Sequence, residues 1–152
     1  MPRGLIRLAA PMSFGLLHVA SLLPEFLARF PAITVDLQLG DAMVDIVGEG
    51  FDAAIRIALQ PGPSLVAQRL CDMPRYLVGS PSYLKKHGRP KRPLHLAGHR
   101  CLGHSNTVMS DAWHFTRGAK SASVQPSGSL RVNNGDAMMP APLAGNGAWH
   151  SP

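Results

Sequence analysis

The 152 residues include only two cysteines, and no apolar run approaches the length needed to cross a membrane. Two thiols cannot form the disulfide framework of a small secreted domain, so reduced cysteines are expected. The first residues also lack the charged and apolar regions of a signal peptide, which favours a cytoplasmic location. The length suits one core or two small lobes that share a hinge.

Patterns that carry catalysis or metal binding are also missing. No serine lies in a G-x-S-x-G elbow, no glycine-rich loop precedes a Lys-Ser or Lys-Thr pair, and no carboxylate pair has an acid–base context. The sequence therefore predicts neither an enzyme nor a bound cofactor. The one metal-like cluster comprises His95, His99, Cys101 and His104, but it lacks the paired short spacings of a zinc site, so no metal is expected.

Acidic residues are scarce: nine Asp and Glu face fifteen Lys and Arg, for a formal net charge of +6. The basic excess is concentrated in the run from Tyr83 to Arg100. Such a run suggests a nucleic-acid surface, yet it has one aromatic residue and no recognisable base-reading motif. We expect a solvated basic surface, with a nucleic-acid face and a protein contact as the alternatives.

The first half of the chain alternates strand and helix patterns. A helix is expected to begin at Ser13, to kink or split at Pro24 and to end before Pro31. A second helix is expected after Asp41, with Met43, Ile46 and Val47 pointing inward. Strands are predicted at 4–10, 33–39 and 53–57, which gives a β-α-β-α-β order and a parallel sheet.

The second half has shorter and weaker patterns. Ser80 and Pro81 are typical of a helix start, and Gly88 is expected to end that helix after two turns. The segment 88–93 is expected to be either a boundary between lobes or a surface connection. Strands are predicted at 65–70, 76–79, 113–115, 121–125 and 129–132, followed by the turn "NNGD" at 133–136.

Carboxyl ends of parallel strands share one edge, and ligands bind there. This places Ser13, Phe14, Asp41 and Ile57 on one rim. Ser13 either caps its helix or donates to a carboxylate-like ligand at the positive end of the helix dipole. Asp41 is either a cap or an acceptor for a hydroxyl or amine, and Phe14 is either a wall of the ligand site or a core residue.

Several ordered motifs resemble one protein family. The chain is similar to the effector-binding domain of LysR-type transcriptional regulators over about residues 4–147. The resemblance rests on "APMSFG", "LLPEFLARFP", "GFDAAIRI", "SLVAQRL", "SPSYLKKHGRP", "LAGHRCL" and "NNGDAM".

This resemblance implies an α/β fold like that of type 2 periplasmic binding proteins, with two lobes, parallel-rich sheets and a small effector in the cleft. The expected lobes are 1–75 and a partial second lobe at 76–152. Ser13 would face the cleft from the first lobe, while Asn134 and Asp136 would approach it from the second. The residues alone favour a turn and cap for "NNGD".

The resemblance has departures at its end. Pro140 and Pro142 are expected to break the helix that follows "NNGD", and 148–152 is not expected to supply the family's next apolar strand. The family's winged helix-turn-helix has no counterpart in this chain. We therefore expect a fold that is incomplete at the C-terminus, as in a truncated gene product or a fragment.

The function implied is effector sensing for transcription. The resemblance predicts a small-molecule effector, for which a carboxylate is one candidate, and homo-oligomers formed through the first lobe. It also predicts no membrane contact, and DNA binding only through the absent domain. The alternatives are a free-standing solute-binding protein of the same fold and a non-functional truncated product.

Overall fold

The computed structural model describes residues 1–42, 44–57, 65–105 and 112–150. It divides the chain into two compact units, Met1–Met73 (unit 1) and Pro74–Pro152 (unit 2). The expectations for Met43, for Ala58 at the end of the third strand and for the loop at 59–64 lie outside the described residues. No described helix is long and apolar enough to cross a membrane.

Unit 1 contains a three-stranded parallel sheet in the order β2-β1-β3. Its strands are β1 (Gly4–Ala10), β2 (Ile33–Leu39) and β3 (Ala53–Ala54). In β2, Thr34 and Gln38 are exposed while the alternating apolar side chains are partly buried, which is the predicted pattern. The β3 strand is shorter than predicted, although the Ile55 N–H still donates to the Ala9 carbonyl at 2.8 Å.

A continuous helical run connects β1 to β2 but changes its winding. It consists of α1 (Met12–Phe14), a π-helical segment (Gly15–Val19), a 3₁₀ segment (Ala20–Leu22) and α2 (Leu23–Arg29). Pro24 lies in the first turn of α2, where its missing N–H costs nothing, so the predicted split is confirmed. The run ends at Phe30, as expected from Pro31.

The prediction of a second helix after Asp41 is wrong for the described residues. Residues 46–50 form turns instead. The Asp45 carboxylate accepts from the Gly48 N–H at 3.0 Å, and the Glu49 carboxylate accepts from the Asp45 N–H at 3.0 Å. These side chains therefore bond to backbone N–H groups of their own segment, which stabilises turns.

Arg7 fixes this turn segment to the sheet. Its Nη1 donates to the Glu49 carbonyl at 2.6 Å, and its Nε donates to Asp36 Oδ2 at 3.3 Å. Its guanidinium lies 5.0 Å from the centroid of the Phe51 ring, and its backbone N–H donates to Asp52 Oδ2 at 2.8 Å. Arg7 on the central strand β1 thus holds residues 49–52 against the sheet through hydrogen bonds and a cation–π contact.

Unit 2 is built on a four-stranded mixed sheet in the order β4-β9-β5-β8. Its strands are β4 (Leu77–Gly79), β5 (Cys101–His104), β8 (Arg131–Val132) and β9 (Ala148–His150). Strand β5 is parallel to β8 and β9, and β4 is antiparallel to β9. A separate antiparallel hairpin comprises β6 (Trp113–Arg117) and β7 (Lys120–Val124), close to the predicted pairing.

The helix α3 (Pro81–His87) matches its prediction. Ser80 Oγ accepts from the Tyr83 N–H at 3.3 Å as the N-cap, and Gly88 ends the helix with φ of 81°. A 3₁₀ segment (Pro93–Gly98) follows. By contrast, the strand predicted at 65–70 is wrong, because these residues have no regular structure.

The end of the described chain corrects one expectation and confirms another. The expectation that 148–152 supplies no strand is wrong, because residues 148–150 form β9, which lies between β4 and β5. Pro140 and Pro142 break the helix after "NNGD", as expected, and divide it into α4 (Gly135–Met138) and α5 (Pro140–Leu143). Pro140 takes a first-turn position, where proline is tolerated.

The core of unit 2 has two clusters. One comprises Leu96, Cys101 and Val124, and the other comprises Leu102, Met138 and Trp149. Because β9 contributes Trp149 and α4 contributes Met138, strand β9 and the proline-split helix both contribute to the core.

Candidate functional site

The candidate site of unit 1 lies where β1 and β2 end. The two strands run in register from Gly4 opposite Ile33 to Ala10 opposite Leu39. The Gly40 N–H then donates to the Ala10 carbonyl at 3.0 Å, so strands β1 and β2 end at the same edge of the sheet. This arrangement is the rim that parallel strands provide for ligands.

Asp41 caps the first helix of this rim. Its Oδ1 accepts from the backbone N–H of Met12 at 2.9 Å. The N-cap position itself is Pro11, which has no side-chain cap, so the expectation that the helix begins at Ser13 and that Ser13 caps it is wrong. Asp41 is a cap, as expected, but of the helix that follows β1 rather than of a helix after β2.

Ser13 therefore lies inside the first turn of the helical run and is partly buried. Ser13 is therefore not at the N-cap position, which is Pro11. The first turn retains the positive end of the helix dipole. The Asp41 carboxylate, which accepts from the Met12 N–H, adds one negative charge at this positive end.

Gly15 allows the helical run to lie close to the sheet. A Cβ at this position would collide with Leu39 Cδ2 and would lie 3.4 Å from the Cβ of Ala10. The glycine of "APMSFG" thus sets how closely the first turn approaches the strand ends, and it positions Ser13 and Phe14 above them.

The other two predicted residues of unit 1 are Phe14 and Ile57. The Phe14 ring is partly buried and contacts the His18 ring, with centroids 4.9 Å apart. Ile57 follows β3 and remains 38% exposed, so it is available for contact rather than part of the core.

Sequence reasoning missed Arg56. Its Nη2 donates to the Val44 carbonyl at 2.9 Å, and its Nη1 donates to the Ala42 carbonyl at 3.3 Å. The guanidinium thereby joins the segments that follow β2 and β3. The charged residue within the apolar stretch "AAIRI" was the available signal.

In unit 2, Asn134 and Asp136 lie at the start of α4. Asn134 is the N-cap, and its Oδ1 accepts from the Ala137 N–H at 3.0 Å. Asp136 is an exposed first-turn residue, where a carboxylate suits the helix dipole. The cap expected for "NNGD" is thus present.

The histidines and cysteine of 95–104 are engaged separately. Among the described residues, no group of three His, Cys, Asp or Glu side chains could hold a metal ion. His99 Nδ1 lies 3.2 Å from the Tyr83 hydroxyl, and His95 Nδ1 accepts from the Lys91 N–H at 3.4 Å. Burial raises the pKa of the Cys101 thiol, which donates to the Leu96 carbonyl at 3.6 Å, so this cysteine is a core residue.

Solved structures show the same fold. The regulatory domain of CrgA, a LysR-type transcriptional regulator from Neisseria meningitidis, matches with a TM-score of 0.73 and 27% identity over 98% of this chain and 72% of that chain. The full-length Vibrio cholerae virulence activator AphB matches with a TM-score of 0.79 and 22% identity over 99% of this chain and 51% of that chain. The fold is that of a LysR regulatory domain, which is periplasmic-binding-protein-like.

The family follows from the sequence comparison. The family described as the LysR substrate binding domain matches residues 1–152, and the chain belongs to it. An HTH-type transcriptional regulator of Xanthomonas campestris pv. campestris is 32% identical over 96% of this chain and 44% of that protein. The activator TtdR of Escherichia coli K12 is 31% identical over 96% of this chain and 47% of that protein.

The chain spans about half the length of these relatives. They are transcriptional regulators rather than enzymes.

Proposed function

We propose that this chain senses a small-molecule effector for a cytoplasmic LysR-type transcriptional regulator and catalyses no reaction. The observation that carries the proposal is the family match along the whole chain, together with a ligand rim at the ends of β1 and β2. DNA binding would come from the N-terminal domain of the regulator, and the effector would change how that domain is presented.

Effector binding is proposed to involve Ser13, Phe14, Asp41 and Ile57 in unit 1, and Asn134 and Asp136 in unit 2. Ser13 supplies a hydroxyl donor in the first helical turn, and the Phe14 ring supplies an apolar wall. The first turn also carries the positive end of the helix dipole, which favours an anion. A carboxylate effector fits this combination of a hydroxyl donor and a positive helix end.

Replacing Ser13 with alanine is expected to weaken carboxylate binding by about 1.5–3 kcal/mol, the range for a hydrogen bond to a charged group. A panel of mono- and dicarboxylates, each paired with its neutral amide, would be screened by thermal shift. Binding of the best carboxylate would then be measured by calorimetry for the wild type and for Ser13→Ala.

Ser21→Ala is the matched control for that experiment. It removes a hydroxyl from an exposed position of the same helical run, where Ser21 Oγ donates to the His18 carbonyl at 3.3 Å. Because Ser21 is not part of the proposed site, this variant should bind carboxylates as the wild type does. Equal losses of affinity in both variants, or amides that bind as well as carboxylates, would contradict the anion site.

We also propose that unit 1 forms homo-oligomers through its helical run. Leucines at four positions of this run remain exposed, by 57%, 70%, 63% and 37% at Leu16, Leu17, Leu22 and Leu27. Exposed apolar patches of this kind mark protein contacts.

Leu17→Glu is therefore expected to convert oligomers to monomers in sedimentation velocity. Leu94→Glu is the control, because Leu94 is also 70% exposed but lies in unit 2. A wild-type chain that stays monomeric at high concentration would contradict this proposal, as would dissociation by both variants.

A further inference from the structure

The two units carry opposite charge. Unit 1 has five Lys and Arg against seven Asp and Glu, whereas unit 2 has ten Lys and Arg against two Asp and Glu. Their formal net charges are therefore −2 and +8. The basic character of the whole chain belongs to unit 2 alone, so unit 2 generates a positive field that attracts anions.

Half of these cations lie within eight residues. Lys85 and Lys86 occupy the last turn of α3, and Arg89, Lys91 and Arg92 follow in the connection to the next 3₁₀ segment. All five are exposed. The sequence has no Asp or Glu between Asp72 and Asp111, and no described carboxylate pairs with these five side chains.

Capping of the helix dipole explains only part of this cluster. Cations in the last turn stabilise the negative helix end, which accounts for Lys85 and Lys86. Arg89, Lys91 and Arg92 lie beyond the helix, where the dipole effect has fallen off. Three like charges within four residues repel one another, and an anionic partner that approaches them would relieve this repulsion.

The structure also indicates what the partner must look like. Tyr83, the only aromatic residue of the basic run, is 2% exposed and bonded to His99, so it cannot stack on a base. Arg89, Lys91 and Arg92 lie in the irregular connection after α3, and Lys85 and Lys86 lie only in its last turn, so this segment does not present a helix face for groove reading. Arginine and lysine on such a surface suit phosphate oxygens without base contacts.

We propose that the segment 85–92 of unit 2, named here the basic segment, contacts the phosphate backbone of double-stranded DNA without reading its sequence. The proposal rests on the proposed function, in which the complete regulator is held on DNA by another domain. Tethering gives a weak backbone contact a high effective concentration, so a small affinity suffices. The basic segment would add a second, salt-sensitive DNA contact to the sequence-specific contact made by the other domain.

The test is fluorescence anisotropy with the 152-residue chain and a labelled duplex of about 24 base pairs and arbitrary sequence, at several salt concentrations. The expected result is weak binding, the same for two unrelated duplexes, that falls steeply with salt. Because each phosphate contact contributes about 0.9 to the slope of log affinity against log salt, Arg89→Gln/Lys91→Gln/Arg92→Gln should lower that slope by about 2–3.

The matched control is Arg75→Gln/Arg117→Gln/Lys120→Gln, which removes the same charge from exposed positions of the same unit. It should leave the slope nearly unchanged. Equal losses in both variants would show attraction by net charge alone and would overturn the proposal. Equal binding of polyglutamate and duplex at matched charge would also overturn it, because an acidic protein surface would then be the better partner.

A second measurement uses the wild-type chain alone, so its result does not depend on whether the variants fold. It compares the acetylation of lysines with and without bound duplex. Bound duplex should reduce acetylation of Lys85, Lys86 and Lys91 at least several-fold and leave Lys120 unprotected, as measured by mass spectrometry. Uniform protection, or none in a sample that binds duplex, would overturn the assignment. Loss of carboxylate binding by Ser13→Ala tests the effector site separately, since Ser13 is in unit 1.

Discussion

Trp149→Ala is expected to destabilise unit 2 by about 3–5 kcal/mol, the usual cost of removing a large buried aromatic side chain. Trp149 is 7% exposed and packs with Leu102 and Met138, and Met138 is fully buried. It also lies on β9, between β4 and β5. The substitution would therefore leave a cavity in the core next to β9, the strand that connects β4 to β5.

Urea unfolding followed by the fluorescence of Trp113 would measure this loss, because Trp113 lies in unit 2 and is the other tryptophan of the chain. Leu143→Ala is the control: Leu143 is 71% exposed, and its loss should change stability by less than about 0.5 kcal/mol. An unfolding midpoint for Trp149→Ala within experimental error of the wild type would show that β9 is not part of the stable core.

Trp149→Phe separates the contribution of the aromatic ring's packing from the cost of the buried indole N–H. Trp149 Nε1 is buried and has no hydrogen-bond partner among the described residues. A buried donor without a partner is unfavourable, and phenylalanine removes it while keeping an aromatic ring. This variant should retain most of the stability that Trp149→Ala loses.

Tyr83→Ala is expected to have a similarly large effect, about 3–5 kcal/mol. Tyr83 is 2% exposed and contacts the rings of His87 and His99 with centroid distances of 4.6 and 5.7 Å. Its hydroxyl oxygen accepts from the Arg100 backbone N–H at 2.9 Å. One side chain thus joins α3 to the segment that enters β5.

Tyr83→Phe divides that effect into its two sources. The ring contacts remain, but the Arg100 N–H and His99 Nδ1 lose their partner, which should cost about 1–3 kcal/mol. The same urea titration reports both variants. If Tyr83→Phe were as stable as the wild type, the hydroxyl bonds would contribute nothing, and only packing would explain the alanine result.

Elements that local chemistry specifies were predictable from the sequence. The Ser80–Pro81 start and Gly88 end of α3 are both capping signals that act within a few residues. Strands β1 and β2 follow from apolar runs with alternation, and Pro24 and Pro31 divide and end the first helical run. The parallel pairing followed from the crossover that these elements require.

Elements that depend on distant partners were not predictable in this way. Residues 148–150 are too few to show a period, and β9 is a strand only because β4 and β5 leave room for it between them. The helix expected after Asp41 is replaced by turns because Arg7, which is distant in sequence, donates to the carbonyls of Glu49 and Gly50. The break at Pro140 was predictable from its missing N–H, but the short helix α5 that it begins was not.

The candidate site shows the same division. The rim was predictable, because it depends on strand direction alone. The residue that caps the first helix was not, because Met12 and Asp41 are distant in sequence and meet only through the pairing of β1 with β2. Arg56 was missed for the same reason, since its acceptors belong to the segment after β2.

The position of β9 also has a consequence for the order of events during synthesis. The three strands of unit 1 lie within residues 4–54, so their pairing is available early as the chain leaves the ribosome. In unit 2, β4 and β5 are not neighbours, and both wait for residues 148–150 to complete their hydrogen bonds. Pairing over such sequence separations is slow. Until then the edges of β4 and β5 remain open to other chains, and this interval is when a chaperone would be needed most.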